Sequence, residues 1–169
     1  MLTDRDCTAN AGTLEDDVLT MPDGEVIIFP NFISSNECLF DQSTGTLTLR
    51  GNVSVTDVWQ YTEQTKKVVV AESGCVLPES CAYLFANFTS VTSIDLTRAY
   101  TGNVKSMWQM FYNCYELTEL NLGDFDTSCV ENMGEMLSEC QALESLDVSG
   151  FDTGNCSVWM EMRIRLKAL

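Results

Sequence analysis

Residues 107–128 read MWQMFYNCYELTELNLGDFDTS, and residues 133–154 read MGEMLSECQALESLDVSGFDTG. Met, Cys, Leu and the Phe-Asp-Thr triplet return at equivalent places, 26 positions apart. One further unit lies upstream, because residues 84–104 align with residues 110–130 without an insertion. A fixed period of this length predicts a solenoid in which each unit forms one rung and stacks on its neighbours.

The apolar pattern changes period within each unit. Leu120 and Leu122 alternate as residues of a strand do, whereas Met133, Met136 and Leu137 have the spacing of a helix. The same apolar positions recur from rung to rung and should stack inward as columns. The sequence therefore predicts an α/β solenoid with one short parallel strand and one short helix in each 26-residue rung.

The chain divides into four parts around this repeat. Residues 1–44 are unassigned apart from a predicted strand, and residues 45–80 are predicted to form an N-terminal cap of strands and a helix. Residues 81–162 contain the repeats, and residues 163–169 form a basic tail. The repeats occupy residues 81–106, 107–132 and 133–158, with a partial unit at 159–162. The predicted strand of the first part is Glu25–Phe29. Within the cap, residues 55–65 are predicted to form a short amphipathic helix whose Trp59 and Tyr61 seal the open end.

The units that begin at Met107 and Met133 resemble BspA-like leucine-rich-repeat surface proteins, whose repeat runs M-x-x-M-F-x-x-C-x-x-L-x-x-L-D-L-S-x-F-D-T-S-N-V. The likeness covers about residues 45–162. It implies a leucine-rich-repeat solenoid behind a strand-rich cap, an extracellular or cell-surface location, and adhesion to host matrix proteins or to other microbes. Arg163 breaks the pattern, so residues 163–169 are either a basic cap or the point where the array is truncated, and we favour truncation.

Charge and composition exclude several function classes. The chain has 25 Asp and Glu against 9 Lys and Arg, a formal net charge of -16, which repels nucleic acid and anionic membranes. No apolar run approaches the roughly 18 residues that a membrane span needs. Histidine is absent, which excludes His-dependent nucleophiles and His-ligated zinc. We expect no metal, no cofactor, no nucleic-acid partner and no membrane insertion.

The candidate binding residues lie between the inward leucines, on the concave strand face. They form two adjacent rows, which comprise Ser93, Asp95, Glu119, Asn121, Ser145 and Asp147. Such a ladder is typical of a surface that binds a protein ligand, here an extracellular-matrix or microbial surface protein. The alternative is an ordinary solvated strand face. We expect a monomeric, non-catalytic binding module.

Two other functions remain as hypotheses. The chain could be a structural spacer or accessory module of a larger surface enzyme. It could also be an enzyme with paired carboxylates such as Asp124 and Asp126. The aspartates of the Phe-Asp-Thr triplets, however, are typical of caps on turns and helices, which favours a structural role.

Eight cysteines are present without a C-x-x-C pair, so no zinc ribbon or thioredoxin-type site is indicated. The cysteines in the inward apolar columns are interpreted as small core residues; they are Cys81, Cys114, Cys140 and Cys156. Of these, Cys114 and Cys140 are predicted to be a free buried pair. Those outside the columns are the better disulfide candidates; they are Cys7, Cys38, Cys75 and Cys129.

Overall fold

The computed structural model describes residues 38–123 and 125–158, together with three short strands nearer the N-terminus. These strands are β1 (Thr13–Glu15), β2 (Val18–Thr20) and β3 (Val26–Ile28), which pair in antiparallel register. Strand β3 falls inside the predicted strand Glu25–Phe29. The partial unit 159–162, the basic tail 163–169 and Asp124 lie outside the described residues.

The segment before the repeats combines strands with one short helix. Strand β4 (Leu39–Asp41) pairs antiparallel with β5 (Thr46–Asn52), and β5 pairs in parallel with β6 (Lys67–Val76). Helix α1 (Val55–Trp59) lies between β5 and β6. It begins after Ser54 because the Ser54 hydroxyl accepts the Asp57 N–H at 3.2 Å.

The two aromatic residues that were expected to seal the open end lie in different surroundings. The Tyr61 ring stacks on Phe40 with centroids 4.9 Å apart. Trp59 remains 48% exposed. Tyr61 therefore packs against the core, Trp59 lies at the surface, and the sealing role stays a prediction.

Parallel pairing at the repeat period confirms the solenoid. Strand β7 (Ser93–Asp95) pairs with β6 on one side and with β9 (Glu119–Asn121) on the other, and β8 (Ala99–Tyr100) pairs with β6. A second line of contact is a ladder of single bridges, which joins Ser80, Ser106, Asn132 and Val158. Partners on both lines are 26 residues apart, so the chain winds through about three stacked turns.

The core follows the apolar columns most closely in the first two rungs. Met107, Met110 and Phe111 are fully buried, and the Phe111 ring stacks on Phe85 with centroids 5.6 Å apart. In the third rung, the later column positions are only half-buried; they are Leu146, Val148, Phe151 and Cys156. The column prediction is thus confirmed for the stacked rungs, and the last described rung packs less completely.

Turns replace the helix that was expected in each rung. Residues 81–88, 107–114 and 133–140 form successive turns, so the helix prediction is wrong for these segments. Backbone bonding alternates: the Phe85 N–H donates to Met110 O in the next rung at 2.9 Å, whereas the Ala86 N–H donates within its own rung at 3.0 Å. A helix would keep every bond inside one rung.

Left-handed backbone conformations make this alternation possible. They recur at the third residue of each turn segment and again four residues later, with φ between 52° and 65°; the residues are Tyr83, Asn87, Gln109, Asn113, Glu135 and Glu139. The buried side chains still follow the i, i+3, i+4, i+7 spacing of a helix. Apolar spacing alone therefore does not separate the two structures.

The Phe-Asp-Thr residues close turns, as predicted for their side chains, and they also join rungs, which was not predicted. Asp126 Oδ1 accepts the Ser128 N–H at 3.0 Å. The buried Thr127 hydroxyl accepts the Asp152 N–H at 2.7 Å and donates to Asp152 O at 3.0 Å. These polar groups belong to the frame of the solenoid.

The cysteines divide differently from the prediction outside the columns. Cys38 and Cys75 are free and buried, which corrects their assignment as disulfide candidates: both belong to the apolar core as small side chains. Cys129 is disulfide-bonded, and Cys7 lies outside the described residues. The prediction of a free buried pair is confirmed, because Cys114 and Cys140 are both free thiols.

Candidate functional site

The first two repeat strands bring four of the six predicted residues together. Parallel pairing sets Ser93 beside Glu119 and Asp95 beside Asn121. Ile94, between the two rows, is buried, so its neighbours point to the opposite face. Glu119 and Asn121 are exposed, whereas Ser93 and Asp95 are half-buried. We call the surface that carries these two rows the strand face.

The strand face continues into β6 and changes charge along the solenoid. Lys67 pairs with Ser93, which in turn pairs with Glu119. Both charged members of this row are exposed. The row therefore runs from a cation through a hydroxyl to an anion, and its acidic part lies toward the third rung.

The third rung approaches this face without extending its sheet. Ser145 and Asp147 are exposed, and in the described part of the chain neither pairs with β9 as a strand residue. A cavity of about 510 Å³ opens between the second and third rungs, with Asn121 and Asp147 in its lining beside apolar side chains such as Leu120 and Phe151. The structure thus brings Asn121 and Asp147 to one cavity and leaves Ser145 outside it.

Three of the predicted residues also close turns at the ends of their strands. Asp95 Oδ1 accepts the Thr97 N–H at 3.1 Å, and Asn121 Oδ1 accepts the Gly123 N–H at 3.3 Å. Asp147 Oδ1 accepts the Ser149 N–H at 2.9 Å. Hydrogen bonds from the Ser149 N–H and hydroxyl hold the pKa of Asp147 below its usual value. These side chains therefore have a structural task in addition to any binding.

Glu119 differs from these three residues. It is exposed, and within residues 38–123 and 125–158 no hydrogen bond or ion pair engages its carboxylate. Its charge is available to a ligand without the loss of an internal contact. Among the predicted residues, Glu119 is the one whose removal tests binding most directly.

One of the two carboxylates considered for catalysis lies in a turn. Asp126 is engaged with Ser128 in a turn, and Asp124, its proposed partner, lies outside the described residues. Across the described ranges, no group of three or more acidic or cysteine side chains is arranged to hold a metal ion. In the same ranges, no helix has the length and apolar character of a membrane span.

A second surface was missed by the sequence analysis. On the outer side of the turn segments, Tyr83 contacts Trp108 edge to face, with ring centroids 4.9 Å apart. Asn113 Nδ2 donates to Asn87 Oδ1 at 2.8 Å, one rung away. The two asparagines occupy equivalent places in the repeat, and that recurrence was the available signal.

Comparison with known proteins places the repeats in a family. No curated protein and no solved structure matches the chain. A family of BspA-like repeat type matches residues 79–168, more than half of the chain. The match begins immediately before the first rung and spans all three stacked turns. The chain therefore belongs to the family described as "Mycoplasma protein of unknown function, DUF285".

Proposed function

We propose that the chain is a non-catalytic binding module, secreted or displayed on a cell surface, whose strand face binds a protein ligand. The observation that carries this proposal is the alignment of Ser93 with Glu119 and of Asp95 with Asn121 on one exposed side of a parallel sheet. Repeat proteins use such extended faces to contact partners. The resemblance to BspA-like leucine-rich-repeat proteins supports adhesion to host matrix or microbial surface proteins.

Charge indicates which kind of protein segment this face would accept. Glu119 is exposed, and Asp147 is held in its ionised form down to lower pH by Ser149. A basic segment of a partner would be attracted to these carboxylates, and the attraction would fall as salt rises. Lys67, at the other end of the row, would set the direction in which that segment lies.

The test neutralises the acidic residues without breaking their turns. Asp95→Asn, Glu119→Gln and Asp147→Asn are combined, since Asn121 already closes the equivalent turn as an amide. Binding to immobilised extracellular-matrix proteins is measured by surface plasmon resonance. We expect affinity to fall at least tenfold in the triple variant.

The matched control removes three exposed charges elsewhere, by Glu63→Gln, Glu116→Gln and Glu131→Gln. It should retain the affinity of the natural chain. Equal binding by both triple variants would contradict the strand-face assignment. Failure of the natural chain to bind any of the matrix proteins, or whole microbial cells, would contradict the adhesion proposal.

A further inference from the structure

The outer side of the turn segments carries a continuous aromatic and amide surface. Leu84, Phe85, Ala86 and Phe88 are buried, whereas Tyr83 and Asn87 are not. Tyr83 is half-buried there and Asn87 is exposed. We call this outer side of residues 81–88, 107–114 and 133–140 the turn face. It lies on a different part of each rung from the strand face.

Three aromatic side chains follow one another along the turn face and its edge. The Trp59 indole N–H donates to Tyr83 O at 2.9 Å, and the Tyr83 ring meets Trp108 at an interplanar angle of 70°. Trp59 nevertheless remains 48% exposed. The Trp59 indole is therefore held by a bond to the Tyr83 backbone, and its exposed part leaves aromatic surface ready for a ligand.

The third rung packs closely against Trp108. A Cβ added to Gly134 would lie 3.2 Å from Trp108 Cδ1 and 3.3 Å from the side chain of Val158. Any larger residue at this position would press on the Trp108 ring. Gly134, which is itself buried, thus lets the Trp108 ring lie close to the backbone of the third rung and fixes its position.

Amide and carboxylate groups flank the aromatic rings. Asn113 donates to Asn87, and Gln109 Nε2 donates to the Glu135 carboxylate, in each case across one rung. Each of these side chains has more donor or acceptor positions than the one bond uses. The three turn segments contain no Lys or Arg. The face offers apolar aromatic rings beside uncharged donors and acceptors, with Glu135 and Glu139 as anions.

We propose that the turn face binds an uncharged polysaccharide. A pyranose ring has one apolar C–H face and a rim of hydroxyls that both donate and accept hydrogen bonds. Trp59 and Trp108 would stack on such C–H faces, while Asn87, Asn113 and Gln109 would bond the hydroxyls. Adjacent rungs lie about 4.8 Å apart, close to the length of one pyranose unit, so a glycan along the solenoid axis meets one rung per sugar.

Charge separates this ligand class from acidic glycans. Sulfated or sialylated chains would meet Glu135 and the large negative net charge of the protein without a cation in the three turn segments to offset them. A protein ligand would have to place apolar side chains on the aromatic rings of the turn face, where a glycan would place the C–H faces of its sugars. The chemistry of the face therefore favours a neutral glycan over both.

The experiment measures binding of the full chain to mannan, xylan, β-glucan and α-glucan, with heparin as the acidic comparison, by isothermal titration and affinity electrophoresis. We expect binding to at least one neutral polysaccharide and none to heparin. Trp59→Ala and Trp108→Ala should each weaken it at least tenfold. Trp59→Phe should retain most of the affinity because an aromatic plate remains.

Two controls keep the result interpretable. Glu119→Gln, on the strand face, should leave polysaccharide binding unchanged, and circular dichroism checks that each variant is folded. Trp59 is half-exposed, so its replacement tests the face even if Trp108→Ala does not fold. The proposal is overturned if no neutral polysaccharide binds, if heparin binds better, or if Trp59→Ala binds as well as the natural chain.

Discussion

Gly123 shows how strongly one residue depends on the stacking of rungs. It follows strand β9 with a φ of +57°, and a Cβ there would come 3.0 Å from Thr97 Cα in the preceding rung. Gly123→Ala should therefore lower the free energy of unfolding by more than about 1 kcal/mol, since both the backbone conformation and the contact oppose a side chain. Urea denaturation measures the change.

Gly150 is the matched control for this substitution. A Cβ at Gly150 would meet nothing within 4 Å, and its φ is not in the left-handed region. Gly150→Ala should change stability by no more than about 0.5 kcal/mol or raise it slightly. Equal losses in both variants would show that the contact between Gly123 and Thr97 does not form.

Cys75 should make stability sensitive to alkali. Burial, with Cys38 as a nearby second cause, raises the pKa of the Cys75 thiol from 9.0 to about 12. The unfolded chain releases this proton near pH 9.0, whereas the folded chain retains it until about pH 12. The contribution of Cys75 is therefore fully present below pH 9.0 and is lost as pH rises toward 12.

Urea denaturation at about pH 7, 9 and 11 measures this loss. Cys75→Ala should flatten the fall in unfolding free energy above pH 9.0. An unchanged slope in Cys75→Ala would mean that the thiol is not buried in the folded state.

At the residue scale, the sequence places the candidate sites only in part. Strand alternation is enough to put Glu119 and Asn121 on the strand face. It does not reveal that Asn121 also closes a turn, because that bond depends on the backbone beyond the strand. The contact between Tyr83 and Trp108 was missed because the two residues are 25 positions apart and therefore occupy different columns.

At the scale of elements, the turn segments show why a correct spacing led to a wrong secondary structure. Met107, Met110, Phe111 and Cys114 satisfy a helical pattern and are all buried. Stacked rungs, however, offer carbonyl acceptors that an isolated helix lacks, and every second amide turns toward them. The neighbouring rung therefore overrides the local helical preference.

Glu139 distinguishes the two backbone conformations experimentally. It is exposed and has a φ of 64°, which costs a non-glycine residue about 1–2 kcal/mol. Glu139→Gly should therefore be neutral or stabilise the fold by about 0.5–1 kcal/mol, whereas in a helix it would destabilise by about 1 kcal/mol. The midpoint of urea unfolding measures the effect.

The control lies one residue earlier in the same turn. Ser138 is not among the described residues with left-handed backbone, so Ser138→Gly should lose about 0.5–1 kcal/mol through the greater freedom of the unfolded chain. Opposite signs at the two positions support the alternating turn. Similar losses at both would restore the helix interpretation.

At the scale of the whole molecule, the net charge of -16 should make stability depend on salt. Like charges in the compact state repel, and an increase from about 10 mM to about 500 mM NaCl screens all but the nearest pairs. We expect the thermal midpoint at neutral pH to rise by about 2–4 °C for each 1 kcal/mol of repulsion that is screened.

The variant with Glu63→Gln, Glu116→Gln and Glu131→Gln separates charge repulsion from other salt effects. With three fewer negative charges, it should show a smaller rise than the natural chain over the same salt range. An identical rise in both proteins would contradict the electrostatic explanation. Differential scanning calorimetry gives both midpoints.

Sequence was most informative about the global fold and less so about its last described rung. An insertion-free period is sufficient to predict parallel stacking, and Ser93 pairs with Glu119 as that period requires. Leu146 and Phe151 occupy apolar columns yet remain half-buried beside the cavity. A side chain in a rung is buried only when a neighbouring rung packs on each side of it, and the sequence pattern of a single rung does not show whether both neighbours are present.

Alternate bonding in the turn segments also sets a rule for changes in chain length. Phe85 bonds to Met110 O, and Phe111 bonds to Met136 O in the same way. Removal of residues 107–132 would join Ser106 to Met133 and bring an equivalent carbonyl to every donor. Removal of one residue fewer would shift each donor onto the wrong partner and exchange inward for outward side chains. Insertions and deletions should therefore be tolerated only when they add or remove whole repeats.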